Sequence, residues 1–312
     1  MVIKSKFTYK SDMDGLTIHA LRYEPEGEIK GIIQIVHGMC EHKERYTSLM
    51  DFLASRGYLC VIHDHRGHGQ SIKDKSDLGY MYEAGWRGLV EDTHQLTVMT
   101  KEAVLKNTGR VVPYYMLGHS MGSLVVRVYL KKYDSEIDKL IVMGSPSNRP
   151  GTSAGLVLIN ILKKLKGDKG HSKILDFIVV NSSYEQRYKS EHTPHAWLST
   201  DKSEVAKYNA DPLCNYSFTI NGYENLVLLT KETYSKEAWC MENAGLPIKF
   251  LSGEGDPCAV DKKSFASGMR FLKNLGYQNV SGKMYKGMRH EILNDTIRTT
   301  VYSDILNFYE KK

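Results

Sequence analysis

Tyr114-Tyr115-Met116-Leu117-Gly118-His119-Ser120-Met121-Gly122, followed by Leu124, Val125, Val128 and Tyr129, is the stretch of this 312-residue chain that decides the fold. An apolar run of strand length passes through a serine flanked by glycines into a segment whose apolar residues recur at helical spacing. G-x-S-x-G is short enough to arise by chance as a glycine-rich turn. A strand before it and a helix after it are what a nucleophile elbow requires. Glycine at 118 and 122 removes side chains that would collide where strand and helix approach closely, and the sharp turn holds Ser120 in a strained conformation that exposes its hydroxyl.

Outward from this unit, short runs rich in Val, Ile and Leu alternate with longer helical segments, the pattern of a mostly parallel, twisted sheet covered on both faces by helices, an α/β fold. Residues 7–10 and 17–22 flank Asp12, Asp14 and Gly15 and read as an antiparallel pair. Runs at 31–36, 58–63, 114–118 and 140–143 read as buried strands, with helices expected at 44–56, 86–106 and 120–133. The first of these helices carries Tyr46, Leu49, Met50 and Leu53 and stops at Gly57. Two more strands, 248–251 and 280–285, enclose a helix at 261–275, and a helix at 296–309 closes the chain, giving about eight strands. Residues 1–146 and 236–312 form this core, and 147–235 interrupt it. The interruption opens on Ser145-Pro146-Ser147-Asn148-Arg149-Pro150-Gly151 and is largely helical or irregular, so it reads as an inserted helical cap or lid.

A serine hydroxyl is a weak nucleophile until a base takes its proton, and the base needs an orienting acid. With an elbow of this kind the chain order is Ser, then Asp or Glu, then His. His290 follows the last strand, at the carboxyl end where sites of open parallel sheets gather, and is the expected base. His171, His192 and His195 all fall in the presumed lid. The run 248–251 empties into Ser252-Gly253-Glu254-Gly255-Asp256-Pro257, where Asp256 is the first choice for the acid. Glu254 and Asp261 compete for that role, although Asp261 also suits a helix cap, and a turn aspartate bonded to local backbone is the alternative for Asp256. Stabilisation of an oxyanion is expected from the backbone N–H groups of Met121 and of Met39, in the loop His37-Gly38-Met39-Cys40-Glu41-His42.

These residues resemble a family. His37-Gly38 with Glu41-His42 and Arg45-Tyr46, Asp64-His65-Arg66-Gly67-His68-Gly69, the serine elbow, and Gly287-x-x-His290-Glu291 together look like the monoacylglycerol lipase and lysophospholipase group of α/β-hydrolases, of the serine aminopeptidase S33 type. Trp197-Leu198-Ser199 and Asp211-Pro212-Leu213-Cys214 are similar to that group's cap. The resemblance covers nearly the whole chain and implies a Ser-Asp-His triad, no cofactor, and a helical cap over an acyl pocket. Cys40 stands where the common lipase pattern has Gly, which bears on the flexibility of that loop and on substrate choice.

Other features have plainer readings. His63, His65 and His68 around Asp64 include zinc-ligand types, but the stretch reads as a structural turn held by charge-assisted hydrogen bonds of Asp64 and Arg66. No metal is expected. His119 reads as a hydrogen-bonded packing residue rather than the base. His37, Gly38, Cys40, His119 and Cys258 are candidates for the pocket wall; a Cys-His mechanism is disfavoured because neither cysteine occupies an elbow. The run Ala154 to Leu162, followed by Lys163, Lys164, Lys166 and Lys169, reads as a cap helix over an acyl channel with solvated lysines behind it. The alternative is transient contact with a lipid surface.

Composition excludes several classes. Apolar residues make up 41% and charged ones 25%, a globular balance far from that of disordered chains. The five cysteines are scattered without a CxxC pair, which favours a reducing, cytoplasmic setting over a disulfide framework. A formal charge of +6 spread along the chain gives no nucleic-acid footprint. The expectation is a serine hydrolase of small acyl esters or lipids. A proline-releasing aminopeptidase, which would want acidic groups in the lid to hold a free amine, and a non-catalytic ligand-binding relative are the alternatives.

Overall fold

The computed structural model describes residues 1–148 and 152–311, with side chains throughout except at 152–154 and 180–183. Strands β1 (Val2–Lys10) and β2 (Thr17–Pro25) form the opening hairpin. They are followed by β3 (Gly31–Val36), α1 (Thr47–Ala54), β4 (Tyr58–His63), α2 (Gly85–Thr108), β5 (Tyr114–His119), α3 (Met121–Tyr133) and β6 (Lys139–Met143). Next come α4 (Thr152–Lys166), α5 (Lys173–Asp176), which runs on in π-helical turns to Glu185, α6 (Lys202–Ala210) and α7 (Ile220–Thr233). The alternation resumes with β7 (Ile248–Gly253), α8 (Lys262–Leu275), β8 (Val280–Tyr285) and α9 (Arg298–Glu310).

The eight strands form one sheet in the order β1-β2-β4-β3-β5-β6-β7-β8. β2 is antiparallel to both β1 and β4, and the other neighbours are parallel. Every residue of β3, β4 and β5 is buried, as a strand covered on both faces must be. Period-two alternation divides their side chains between two cores. Ile32 and Val36 join Leu89, Leu124 and Leu272 on one face, while Ile33 and Ile35 join Leu49, Leu53 and Ile305 on the other.

Chain order reverses between β3 and β5, since β4 pairs with one edge of β3 and β5 with the other. Such a reversal leaves a crevice outside the carboxyl ends of the two strands, and ligands of open α/β sheets settle there.

Two elements differ from expectation. The hairpin strands are longer than 7–10 and 17–22, because Lys4 and Lys6 on the outermost strand break the apolar pattern while still satisfying the ladder, a common way to blunt a sheet edge. The segment 44–56 is α-helical only from Thr47, after a 3₁₀ turn at Lys43–Tyr46. Asp64 pins the start of that turn by accepting from the Lys43 N–H at 2.8 Å and from its Nζ at 2.6 Å. Asp64 also accepts from the Gln70 N–H at 2.8 Å, and Arg66 pairs with Asp92 at 2.8 Å and Asp14 at 2.6 Å, so both charges hold the loop after β4.

The segment between β6 and β7 is helical, with α4 packed against α7. Arg149, Pro150 and Gly151 of its turn-rich opening lie outside the described residues. Among the described residues no helix is long and apolar enough to cross a membrane.

Candidate active site

The chain leaves β5 through Ser120, whose φ of 51° and ψ of −119° are strained for a residue with a side chain. The turn is held by the Ser120 N–H donating to the Met143 carbonyl at 2.9 Å and by its own carbonyl accepting from the Ser123 N–H at 2.9 Å. A Cβ on Gly122 would overlap the carbonyl oxygens of Val36 and His37, so glycine there is what lets α3 start against the end of β3.

Asp256 and His290 follow β7 and β8. His290 Nδ1 lies 2.9 Å from Asp256 Oδ1, and the two are 2% and 1% exposed respectively. Asp256 also accepts from the Cys258 N–H at 2.8 Å and from Ser252 Oγ at 2.9 Å, which orients its carboxylate. Burial works to raise the Asp256 carboxyl, but the His290 charge and these hydrogen bonds hold it below the usual carboxylate range. Burial works against the His290 imidazolium, yet the Asp256 charge lifts it well above 6.5. The competing acids are engaged elsewhere: Asp261 caps α8 by accepting from the Ser264 N–H at 2.7 Å, and Glu254 pairs with Lys262 at 2.8 Å.

Met39 and Met121 both line a cavity at this crevice. Among the described residues neither main-chain N–H is spent on a hydrogen bond, as is expected of the first residue of a helix and of a loop turned inward. The neighbouring Gly38 N–H is already used, donating to Glu41 Oε1 at 2.5 Å.

Glu41 also lines the cavity, and its contacts are ones that sequence reasoning missed. Its Oε1 also accepts from Tyr46 OH at 2.8 Å and lies 3.1 Å from His119 Nδ1, while its Oε2 lies 3.4 Å from Arg45 Nε. Arg45 in turn pairs with Glu291, beside His290. Burial works to raise the Glu41 carboxyl, but the His119 hydrogen bond and the charges of His119 and Arg45 hold it at about 2. Glu41, Arg45 and Tyr46 lie in motifs already noted for their resemblance. Only their three-dimensional contact shows that they join the oxyanion loop, the elbow and the loop carrying His290.

Ser120, His290, Met39 and Met121 line one cavity of about 320 Å³, together with Cys40, His119 and Cys258. Cys258 Sγ is 4.0 Å from His290 Nε2. His37 and Gly38, expected in the pocket wall, are not among the lining residues. His37 is fully buried beneath the loop, where its Nε2 accepts from the His65 N–H at 2.9 Å and its ring packs against His65 and His68. Gly38 is covered by Glu41 and Ser120. Burial pushes His63 down to about 3 and His68 down to about 4, so these rings pack as neutral groups.

Among the described residues, two groups of three ligand-type side chains have their donor atoms within 4.8 Å of one another: Asp256, Cys258 and His290, and His42, Asp211 and Cys214. In the second, His42 bridges Glu44 at 2.8 Å and Asp211 at 2.9 Å. Burial works against its charge, but hydrogen bonds to Cys214, Glu44 and Asp211 raise it to about 11, the condition of an imidazolium held between carboxylates.

A family model described as serine aminopeptidase, S33, matches residues 27–297. A monoacylglycerol lipase of Mycolicibacterium smegmatis is 25% identical over 287 residues, covering 92% of this chain and 90% of that one. A monoglyceride lipase of Mus musculus is 27% identical over 284 residues, covering 89% and 80%. Among solved structures, a thermostable carboxyl esterase from Bacillus coagulans in complex with glycerol superposes with a TM-score of 0.86 at 27% identity, covering 98% of this chain and 97% of that one. A soluble variant of the monoglyceride lipase from Saccharomyces cerevisiae shares the fold, with a TM-score of 0.71 at 19% identity, covering 97% and 93%.

Proposed function

We propose that this chain, which belongs to the serine aminopeptidase S33 family of α/β-hydrolases, is a serine carboxylic-ester hydrolase acting on monoacylglycerol- or lysophospholipid-like esters. The observation that carries the reading is the buried His290–Asp256 pair at 2.9 Å, at the wall of a cavity that Ser120 also lines. The names of the relatives and of the Bacillus coagulans esterase support ester chemistry.

In this reading Ser120 Oγ attacks the ester carbonyl carbon as His290 Nε2 takes its proton, and Asp256 stabilises the imidazolium. The carbonyl oxygen becomes an oxyanion that accepts from the Met39 and Met121 N–H groups. Collapse of the tetrahedral adduct breaks the carbon–oxygen bond to the alcohol, which leaves with the proton held by His290. A water molecule, deprotonated by His290, then attacks the acyl-enzyme, and the fatty acid leaves as Ser120 recovers its proton. Residues 147–235 act as a cap over this chemistry, contributing Asp176, Val179, Tyr184, Trp197, Tyr216 and Tyr223 to the cavity.

The cap also supports contact with a lipid surface. Ile159 and Leu162 bury one face of α4, while Val157, Ile161 and Leu165, one turn apart from each other, are each more than half exposed. Lys163 and Lys169 are paired with acidic side chains rather than simply solvated, Lys163 with Glu224 and Asp168 and Lys169 with Asp77. An apolar stripe edged by lysines suits a headgroup boundary. The reading is tested by supplying 1-oleoylglycerol, oleoyl lysophosphatidylcholine and a fluorogenic proline amide in parallel. Release of oleate with no cleavage of the amide is expected, and cleavage of the amide alone would replace the reading with a peptidase.

A further inference from the structure

Away from the triad, His42, Asp211 and Cys214 bring an imidazole nitrogen, a carboxylate oxygen and a thiol sulfur within 4.8 Å of one another. His42 ends the loop that carries Met39, while Asp211 and Cys214 share one turn just after α6, closed by the Cys214 N–H donating to the Asp211 carbonyl at 3.0 Å. His42 and Cys214 are buried and Asp211 is half-buried. Two of the three donor atoms are aimed by partners of their own. Glu44 Oε2 lies 2.8 Å from His42 Nδ1, which leaves Nε2, 2.9 Å from Asp211 Oδ2, as the nitrogen that faces the group. Lys43 Nζ holds the other oxygen of Glu44 at 3.1 Å. Asp211 Oδ1 is spent on the Leu213 N–H at 2.8 Å, so that Oδ2 is the oxygen left for His42.

A carboxylate on one ring nitrogen, with the other nitrogen turned toward further donors, is how metal-binding histidines are held. Tetrahedral zinc, with bonds of about 2.1 Å to nitrogen and oxygen and about 2.3 Å to sulfur, places its ligands roughly 3.4–3.6 Å apart. Closing the group therefore takes a movement on the order of one ångström. Burial works against a charge on His42, yet hydrogen bonds to Cys214, Glu44 and Asp211 raise it to about 11, so the converging lone pairs already favour positive charge here. Arg45, which also bears on Cys214, is engaged by Glu41 and Glu291. A polar cleft of about 420 Å³, lined by His42, Glu44 and Asp211 among others, offers an entry path and a water for a fourth position. The other group of ligand-type side chains, Asp256, Cys258 and His290, belongs to the catalytic site already described.

We propose that His42, Asp211 and Cys214 form a binding site for a zinc-like divalent cation, which clasps the turn after α6 to the loop that carries Met39. The cation accepts lone pairs from His42 Nε2, Asp211 Oδ2 and Cys214 Sγ, and the protons of Nε2 and Sγ pass to solvent as the bonds form. A mixed nitrogen, oxygen and sulfur set suits zinc, whereas magnesium and calcium take oxygen ligands. The ion is structural and takes no part in bond breaking, so the site stands whether or not Ser120 cleaves esters.

The test titrates Co²⁺, a spectroscopic stand-in for zinc, into the reduced full-length protein. A single equivalent should bring up a thiolate-to-cobalt charge-transfer band in the near ultraviolet together with the strong visible bands of tetrahedral cobalt, and Zn²⁺ should bleach both. Cys214→Ser should abolish the thiolate band, and Asp211→Asn, which keeps the thiol, should weaken cobalt binding by at least about tenfold. Glu44→Gln should keep the band and weaken binding by about tenfold, because it loosens the grip on His42 without removing a ligand. Cys258→Ser should leave the band as it is. Zn²⁺ should also raise the melting temperature of the native protein and not that of Cys214→Ser. A band that survives Cys214→Ser, or one that is lost in Cys258→Ser, places the ion elsewhere and overturns the proposal. So does the absence of any band from the native protein, or an equal rise in melting temperature in Cys214→Ser.

Discussion

His290 Nδ1 and Asp256 Oδ1 stand 2.9 Å apart in a buried pair, and two further donors fix the carboxylate, the Cys258 N–H on the same Oδ1 and Ser252 Oγ on Oδ2. The pair raises the imidazole above its ordinary 6.5 through the Asp256 charge. A base works only when unprotonated, so activity should rise with pH along a limb centred above 6.5. Asp256→Asn removes the charge that raises the imidazole. It should shift this limb downward and lower kcat by about 10³- to 10⁴-fold on a p-nitrophenyl ester. An unmoved limb in the pH profile of kcat/KM would show that Asp256 does not set the state of His290.

Glu41 ties three loops together, and its carboxyl titrates at about 2 instead of 4.5. A folded-state value below the ordinary one means stability that is present above about pH 4.5 and is lost as pH falls toward 2. Glu41→Gln should therefore cost about 2–4 kcal/mol in urea denaturation at pH 7. The gap from the native protein should narrow steadily below pH 4.5. A gap that stays constant down to pH 3 would contradict the depressed carboxyl.

Gly122 has no room for a methyl group beside the Val36 and His37 carbonyl oxygens. Gly122→Ala should force α3 away from β3, costing about 3 kcal/mol and displacing the elbow. Thermal unfolding is the check, and a melting temperature equal to that of the native protein would mean that the close approach is not needed.

The exposed stripe Val157, Ile161 and Leu165 should matter only where substrate is presented in a lipid surface. Replacing all three by serine should lower the ratio of turnover on vesicle-borne monoacylglycerol to turnover on a soluble ester by about tenfold. A ratio that does not change would return the stripe to the status of ordinary solvent-exposed surface.

What could be read from the amino-acid sequence, and what could not, divides along one physical line. The strands β3 to β6 announce themselves because burial on both faces demands continuous apolar runs, and Ser120, Asp256 and His290 stand out because turn chemistry marks the loops at strand ends. Residues whose part depends on long-range contact are silent. Glu41 stands in a recognisable motif, but its part shows only when Arg45, Tyr46 and His119 close around it. Asp176 sits in a helical stretch with no motif, and only the fold of the segment between β6 and β7 turns it toward the cavity. His37 reads as a pocket-wall candidate from its place in the loop after β3. Its ring instead packs into the cluster with His65 and His68.

The most direct measurement is turnover of p-nitrophenyl hexanoate by Ser120→Ala, followed beside its melting temperature and circular dichroism. Loss of at least about 10⁴-fold in kcat with the fold intact is predicted, because the residual machinery without its nucleophile retains only oriented donors and binding. Turnover near the native rate by a folded Ser120→Ala protein would contradict the assignment of Ser120 as the nucleophile.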